Sequence, residues 1–247
     1  VGIEVMNRKE FLLKSPNRYK KLLQTKLKDG KVIQPYVLKT MREKYLDNDI
    51  LKIGYLDIET SGLSADFDFI ITYAILVRNI GEKEPTEIRS GRITPDDWER
   101  AKKEGDADKI DSKLLEKLMD DIADIDCLIG HWFIGKHRHD IPFIRSRMAI
   151  NDISGFPKHK MVRYGDTQKW SSQIHRLRNN GLATIADAYG LSTHKTPIKT
   201  KDWKKAAMFA DKKAIDYILH HNIKDCIITY KVHKRIENYV PIAAIYA

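Results

Sequence analysis

The stretch LKIGYLDIET (51–60) decides the reading of this chain. Ile53, Tyr55, Leu56 and Ile58 are β-branched, aromatic or aliphatic, and neither Pro nor an Asn-Gly turn interrupts them. The pattern predicts a strand over 51–59. Asp57 and Glu59 stand two residues apart within it, and alternate side chains of a strand share a face. Acidic groups at the end of an apolar central strand are costly unless they are paired or hold a metal. On the spacing alone, a strand end running into solvent is the competing reading.

Further strands and helices follow outward from this one. DFIITYAILVRN (68–79) reads as a second strand after a Ser-Gly turn, and EIRSGRIT (87–94) as a third. Residues 96–126 are charged and helical in pattern. CLIGHWF (127–133) reads as another buried strand, IPFIRSRMAI (141–150) as a helix after a loop, and about 166–237 as mostly helical. Three successive strands, then alternating helix and strand, predict an α/β domain over 51–247: a mixed sheet flanked by helices.

Bulk composition bounds the chemistry. At 247 residues, 42% hydrophobic and 32% charged, the chain can bury a core beneath a polar surface. No apolar run approaches the roughly 20 residues that span a bilayer, so no membrane is expected. Cys127 and Cys226 lie far apart without CxxC spacing and read as buried thiols, which suits a reducing interior such as the cytoplasm. A formal charge of +10 favours a polyanionic partner, nucleic acid before a membrane surface. Residues 1–50 hold 12 Lys or Arg against 6 Asp or Glu. They read as a basic helical extension, either an arm packed on the main domain or a small nucleic-acid-binding element.

Two more acids stand in suggestive surroundings. Asp140, in RHDIPFIRSR, is placed either to cap a helix, with Pro142 in the first turn, or to face a site. Asp225, in IKDCIITY, borders the apolar side of an amphipathic helix; the competing reading is a surface Asp beside a Lys.

Taken together, DIET, HDIPF and HHNIKDC resemble, in order and separation, the three exonuclease motifs of the DEDD superfamily, which has a ribonuclease H-like fold and includes polymerase proofreading domains. YGDTQKW (164–170) is similar to that family's aspartate strand and following helix. LATIADAYGLSTHKTPI (182–198) and the C-terminal text are similar to the YprB-type branch, common in phages and bacteria. The resemblance spans about 52–237 and leaves out 1–50. It implies that Asp57, Glu59, Asp140 and Asp225 hold two divalent ions, magnesium or manganese, which prefer oxygen ligands and stabilise the attacking and leaving oxygens of a phosphodiester. The second motif departs from the family's "YN…FD" form: GHWFIGKHRHD is longer and rich in histidine. His131, His137 and His139 are either surface or phosphate-contacting residues, or zinc ligands.

The same resemblance implies a histidine or tyrosine shortly before the last aspartate. On an unbroken helix from about 212 to 237, His221 lies about 40° around the axis from Asp225 and His220 about 140°. His221 is therefore expected to activate or orient the attacking water, with His220 second. Thr60, Trp132, Arg138 and Lys195 are expected to contact substrate. Arg145, Arg147, Lys199 and Lys201 are further basic candidates, and Phe133 and Trp170 further aromatic ones, each with a surface or core role as the alternative. The acidic run 104–126 reads as an exposed helix face.

The resulting expectation is a metal-dependent 3′–5′ exonuclease acting on single-stranded ends. The substrate is DNA, with RNA as the alternative, and a replication or repair protein is a possible partner. The rival readings are a structure-selective endonuclease or RNase on the same fold, and a non-catalytic nucleic-acid-binding scaffold.

Overall fold

The computed structural model describes residues 50, 52–80, 82, 84–134, 139–154, 156, 163–191 and 198–240. Apart from Ile50, the basic N-terminal extension lies outside the described residues. Among the described residues five strands form one sheet in the order β3-β2-β1-β4-β5. Strand β1 (Lys52–Thr60) is central. It pairs antiparallel with β2 (Ile70–Asn79) on one side and parallel with β4 (Cys127–Gly130) on the other. Strand β3 (Glu87–Arg92) extends β2 antiparallel, and β5 (Arg163–Asp166) extends β4 in parallel. This is the mixed, helix-flanked sheet that the sequence predicts.

The alternation of β1 and β2 sorts the helices. Tyr73 hydrogen-bonds Asp121 at 2.6 Å, so its face looks toward α2 (Ser112–Ile122). Tyr55 meets His233 at 2.8 Å, so the face carrying Tyr55, Asp57 and Glu59 looks toward the long helix α7 (Lys212–Ile236). The remaining helices are α1 (Pro95–Glu104), α3 (Asp140–Ile150), α4 (Thr167–Ile174), α5 (Leu182–Ala188) and α6 (Thr200–Phe209). The core joins Ile71, Tyr73, Ile75 and Val77 of β2 to Leu115, Leu118 and Ile122 of α2 and Ile141 and Ile144 of α3. Cys127 and Cys226 are both buried free thiols. Among the described residues no helix is long and apolar enough to cross a membrane.

Four local readings are corrected. The segment 96–126 is not continuous helix. Gly105 caps α1 at φ 68°, and a 3₁₀ turn (Ala107–Lys109) separates it from α2. The CLIGHWF strand stops at Gly130 and the chain turns at Trp132, whose φ is 60°; the Phe133 ring occupies the space a Cβ on residue 130 would take. The acidic run is not wholly an exposed face. Asp111 is fully buried and accepts from Arg147 through Nε at 3.0 Å and Nη2 at 2.9 Å. Arg147 is thereby consumed in the interior and cannot track phosphates.

Candidate active site

Strand β1 outruns its parallel neighbour. The β1–β4 pairing covers Ile53 to Tyr55 only, while the antiparallel pairing with β2 continues past Glu59. Asp57 and Glu59 therefore stand where β1 and β4 part, at the carboxyl edge of the parallel strands, the edge at which open α/β sheets form crevices. Both are partly exposed, whereas Ile58 between them is buried.

Asp140 reaches the same place from another element. It is the first residue of α3 rather than its cap; the cap position belongs to His139, whose side chain makes no capping bond. Asp140 is 5% exposed, and its Oδ2 is buried with no hydrogen-bond partner. Burial pushes its carboxyl well above the ordinary range, and the nearby charges of Asp57, Glu59 and Asp166 push it further.

Helix α7 brings the fourth acid. It runs unbroken through 212–236, with no Gly or Pro to interrupt it. His221 and Asp225 share one side of it, with Nε2 3.7 Å from the Asp225 Oδ2. His220 is exposed. The buried thiol of Cys226 lies within the influence of Asp57, Asp225 and Asp140 together. Burial first, and then the charges of these three carboxylates, push the thiol well above its ordinary range.

Two residues to which the sequence reading gave no site role hold this arrangement. Asn222 is fully buried and donates from Nδ2 to the Asp57 Oδ2 at 2.5 Å, while its Oδ1 faces the Thr72 hydroxyl at 3.5 Å. It pins the strand carboxylate to the helix that carries Asp225. Asp166, at the end of β5, accepts five backbone N–H groups. Phe133 donates at 2.9 Å, Trp132 at 3.3 Å and Ile134 at 3.4 Å, and Gln168 and Lys169 donate from the first turn of α4 at 2.9 and 3.1 Å. Phe133 O in turn accepts from Ile141 N, and Trp132 O from His139 N. A chain of backbone bonds thus runs from Asp166 to the residues flanking Asp140. The HN pair beside His221 was a visible hint of the first residue. The resemblance of YGDTQKW to the family's aspartate strand pointed to the second, though not to its role as an acceptor of backbone N–H groups.

The substrate candidates divide. Thr60 is buried, bonded to Gly62 O at 2.5 Å and facing His139 Nε2 at 3.2 Å. Trp132 is 50% exposed and adopts φ 60°, a strained backbone for a bulky residue. Arg138 and Lys195, like His137, lie outside the described residues. Phe133 and Trp170 are core residues, Trp170 stacking on His233. Arg145 lies over the rings of Phe156 and Tyr164. His131 and His139 turn apart, to Thr167 at 2.9 Å and to Thr60. The loop after Glu59 exposes Leu63 and Phe67 almost fully, while Asp68 ties it internally to Ser61 and Ser64.

Among the described residues no three His, Cys, Asp or Glu side chains form a closed metal site. Carboxylates without a cation repel one another, and magnesium or manganese sites keep several waters, so few protein ligands need converge. A buried carboxyl with an unused oxygen, pushed up by burial and by the carboxylates beside it, is a donor that a hard divalent cation fits.

The family model of the RNase H superfamily matches residues 54–237, from β1 to the end of α7. No curated protein matches the chain.

Proposed function

The chain belongs to the RNase H superfamily, whose members are typically divalent-metal nucleases acting on nucleic acid; from this we propose that it is a 3′–5′ exonuclease on single-stranded ends, DNA in the first place. The observation that carries the reading is the Asp140 carboxyl, buried with an unpartnered oxygen against Asp57 and Glu59. Asp57, Glu59, Asp140 and Asp225 would hold the magnesium or manganese. When bound, the metal supplies Lewis-acid stabilisation of the attacking and leaving oxygens and acidifies the attacking water.

The chain's own residues have separate tasks. Asn222 fixes the Asp57 rotamer, and the Asp166 network fixes the start of α3. His221 takes the proton from the attacking water, since histidine is the side chain that ordinarily exchanges its proton near neutral pH. Asp225, one turn along, orients the ring and stabilises its protonated form. Leu63 and Phe67, exposed next to the carboxylate strand, offer apolar surface to unpaired bases, and Trp132 offers a further ring. Apolar contacts of this kind favour splayed single strands over an intact duplex.

A cleavage panel tests the reading. End-labelled linear DNA and RNA, single and double stranded, are compared with circular single strands, with magnesium or manganese and with EDTA. The expected result is stepwise shortening of linear single strands from the 3′ end, with circles intact and no cleavage in EDTA. Cut circles would establish an endonuclease instead, and cleavage with all metal chelated would overturn the mechanism.

A further inference from the structure

We infer that the outward surface of α6 and the first turn of α7 is a track for single-stranded polynucleotide leading to the carboxylate edge. Helix α6 packs inward through Trp203, Ala206 and Ala207, and Ala210 closes it in a left-handed conformation at φ 49°. The opposite side presents Lys204 and Lys205 beside Met208 and Phe209, which are 62% and 73% exposed. The chain turns at once into α7, whose first turn adds the exposed Lys212 and Lys213. A cleft between the two helices is lined by Lys205, Lys213 and Tyr217, together with Asp202, Asp211 and Ala214.

Charge complementarity selects the occupant. Of the three acids in this stretch, Asp211 is engaged as the cap of α7, accepting from Ala214 N at 2.8 Å, and Asp216 is paired with Arg92. Inside the cleft Asp202 and Asp211 balance Lys205 and Lys213, so the positive excess of this surface comes from the exposed Lys204 and Lys212 beside it. Phenylalanine and methionine also suit a protein interface, but four lysines around them do not, because the core of such an interface is depleted of lysine. The combination is right for a single strand, which needs cations for its phosphates and a ring or apolar side chain for its bases.

Position links the surface to the site. Tyr55 meets His233 whereas Asp57 meets Asn222, so α7 runs antiparallel to β1 and its N-terminal end lies toward the carboxyl edge. Lys213 precedes Asp225 by twelve residues, about 18 Å of helix, on the order of five nucleotides at the per-strand rise of duplex DNA. The inference deepens the proposed function by naming where the upstream strand lies, and it rests on that reading for the strand's destination.

Binding in EDTA separates it from cleavage. Anisotropy of labelled oligothymidylate and oligouridylate, about fifteen and about four nucleotides long, is measured with the full chain. The same measurement is made with Phe209→Ala and with the quadruple variant Lys204→Ala, Lys205→Ala, Lys212→Ala, Lys213→Ala. All five side chains are exposed, so unchanged melting verifies folding. The expected result is about tenfold weaker binding of the long strand for Phe209→Ala. For the quadruple variant, the slope of log affinity against log salt should be shallower by roughly 0.7 for each lysine engaged. Short-strand hydrolysis should stay unchanged. Preference between the two oligomers assigns the track to DNA or RNA. Long-strand binding equal to that of the unaltered chain in both variants would overturn the inference, as it would if the surface served a protein. If these residues bind the long strand but nothing is cleaved, the track stands and the proposed activity falls. If the chain cleaves normally with binding indifferent to them, the reverse holds.

Discussion

Asp111 and Asp140 are both buried aspartates, and they are opposites. Asp111 accepts two bonds from Arg147, one from Ile70 N at 3.0 Å and one from Asn151 Nδ2 at 3.2 Å. Its charge is matched and its oxygens are used. Asp140 has an oxygen with no partner and sits against the charges of Asp57 and Glu59. Burial therefore does not mark a site by itself. What marks it is a buried carboxyl whose charged form the protein leaves uncompensated, so that it holds its proton until a cation supplies the compensation. Asp166 belongs with Asp111: it is also fully buried, and backbone N–H groups satisfy it.

The largest way to break this comparison is to remove one acid from each class. Asp57→Ala should lower cleavage by about 10⁴-fold or more with little loss of folding stability, as measured by single-turnover assay and denaturant melts. Asp111→Ala should do the reverse. It leaves Arg147 buried and unpaired, at a cost of about 3–5 kcal/mol, with the metal requirement of the remaining folded fraction unchanged. Replacing both partners of that pair with apolar residues of similar volume should recover much of the stability.

A smaller effect separates the two histidines. His221→Ala should slow cleavage by about 10²–10³-fold and flatten the pH–rate profile near neutrality, while His220→Ala should leave both close to those of the unaltered protein. Equal losses for the two would mean that the helix face does not decide the role. Asn222→Ala should weaken metal affinity by about 10- to 100-fold, as outer-shell partners do, read by titrating manganese into the cleavage assay.

The sequence carried the sheet because β1 and β2 are dense in β-branched and aromatic residues, and it carried α7 because no Gly or Pro interrupts Lys212–Ile236. The DxE spacing placed Asp57 and Glu59 on one face, since strand periodicity is local. The illegible parts are those decided at long range. Nothing in RSR says that Arg147 folds onto Asp111, 36 positions earlier. Nothing in YGD says that Asp166 gathers the N–H groups of a loop more than 30 residues away. The strand at 127 stops early where the chain turns at Trp132, φ 60°, a conformation that a tryptophan does not announce in sequence.

A pH effect sharpens the contrast further. Folding holds the Asp140 proton to higher pH than the unfolded chain does. Between the ordinary carboxylate pKa, about 4, and the raised value, unfolding releases a proton. In the absence of metal, stability should therefore fall as pH rises through that window. Asp140→Asn should remove this dependence and raise metal-free stability at neutral pH by about 1–3 kcal/mol. Melting in EDTA across pH 4 to 8 measures it.

The most direct test of the central claim is a manganese titration of the melting temperature, comparing the unaltered chain with Asp140→Asn. If Asp140 and its carboxylate neighbours are a cation site, the unaltered chain starts lower in EDTA and rises saturably with manganese, while Asp140→Asn starts higher and responds weakly. Identical responses from the two proteins would contradict the account.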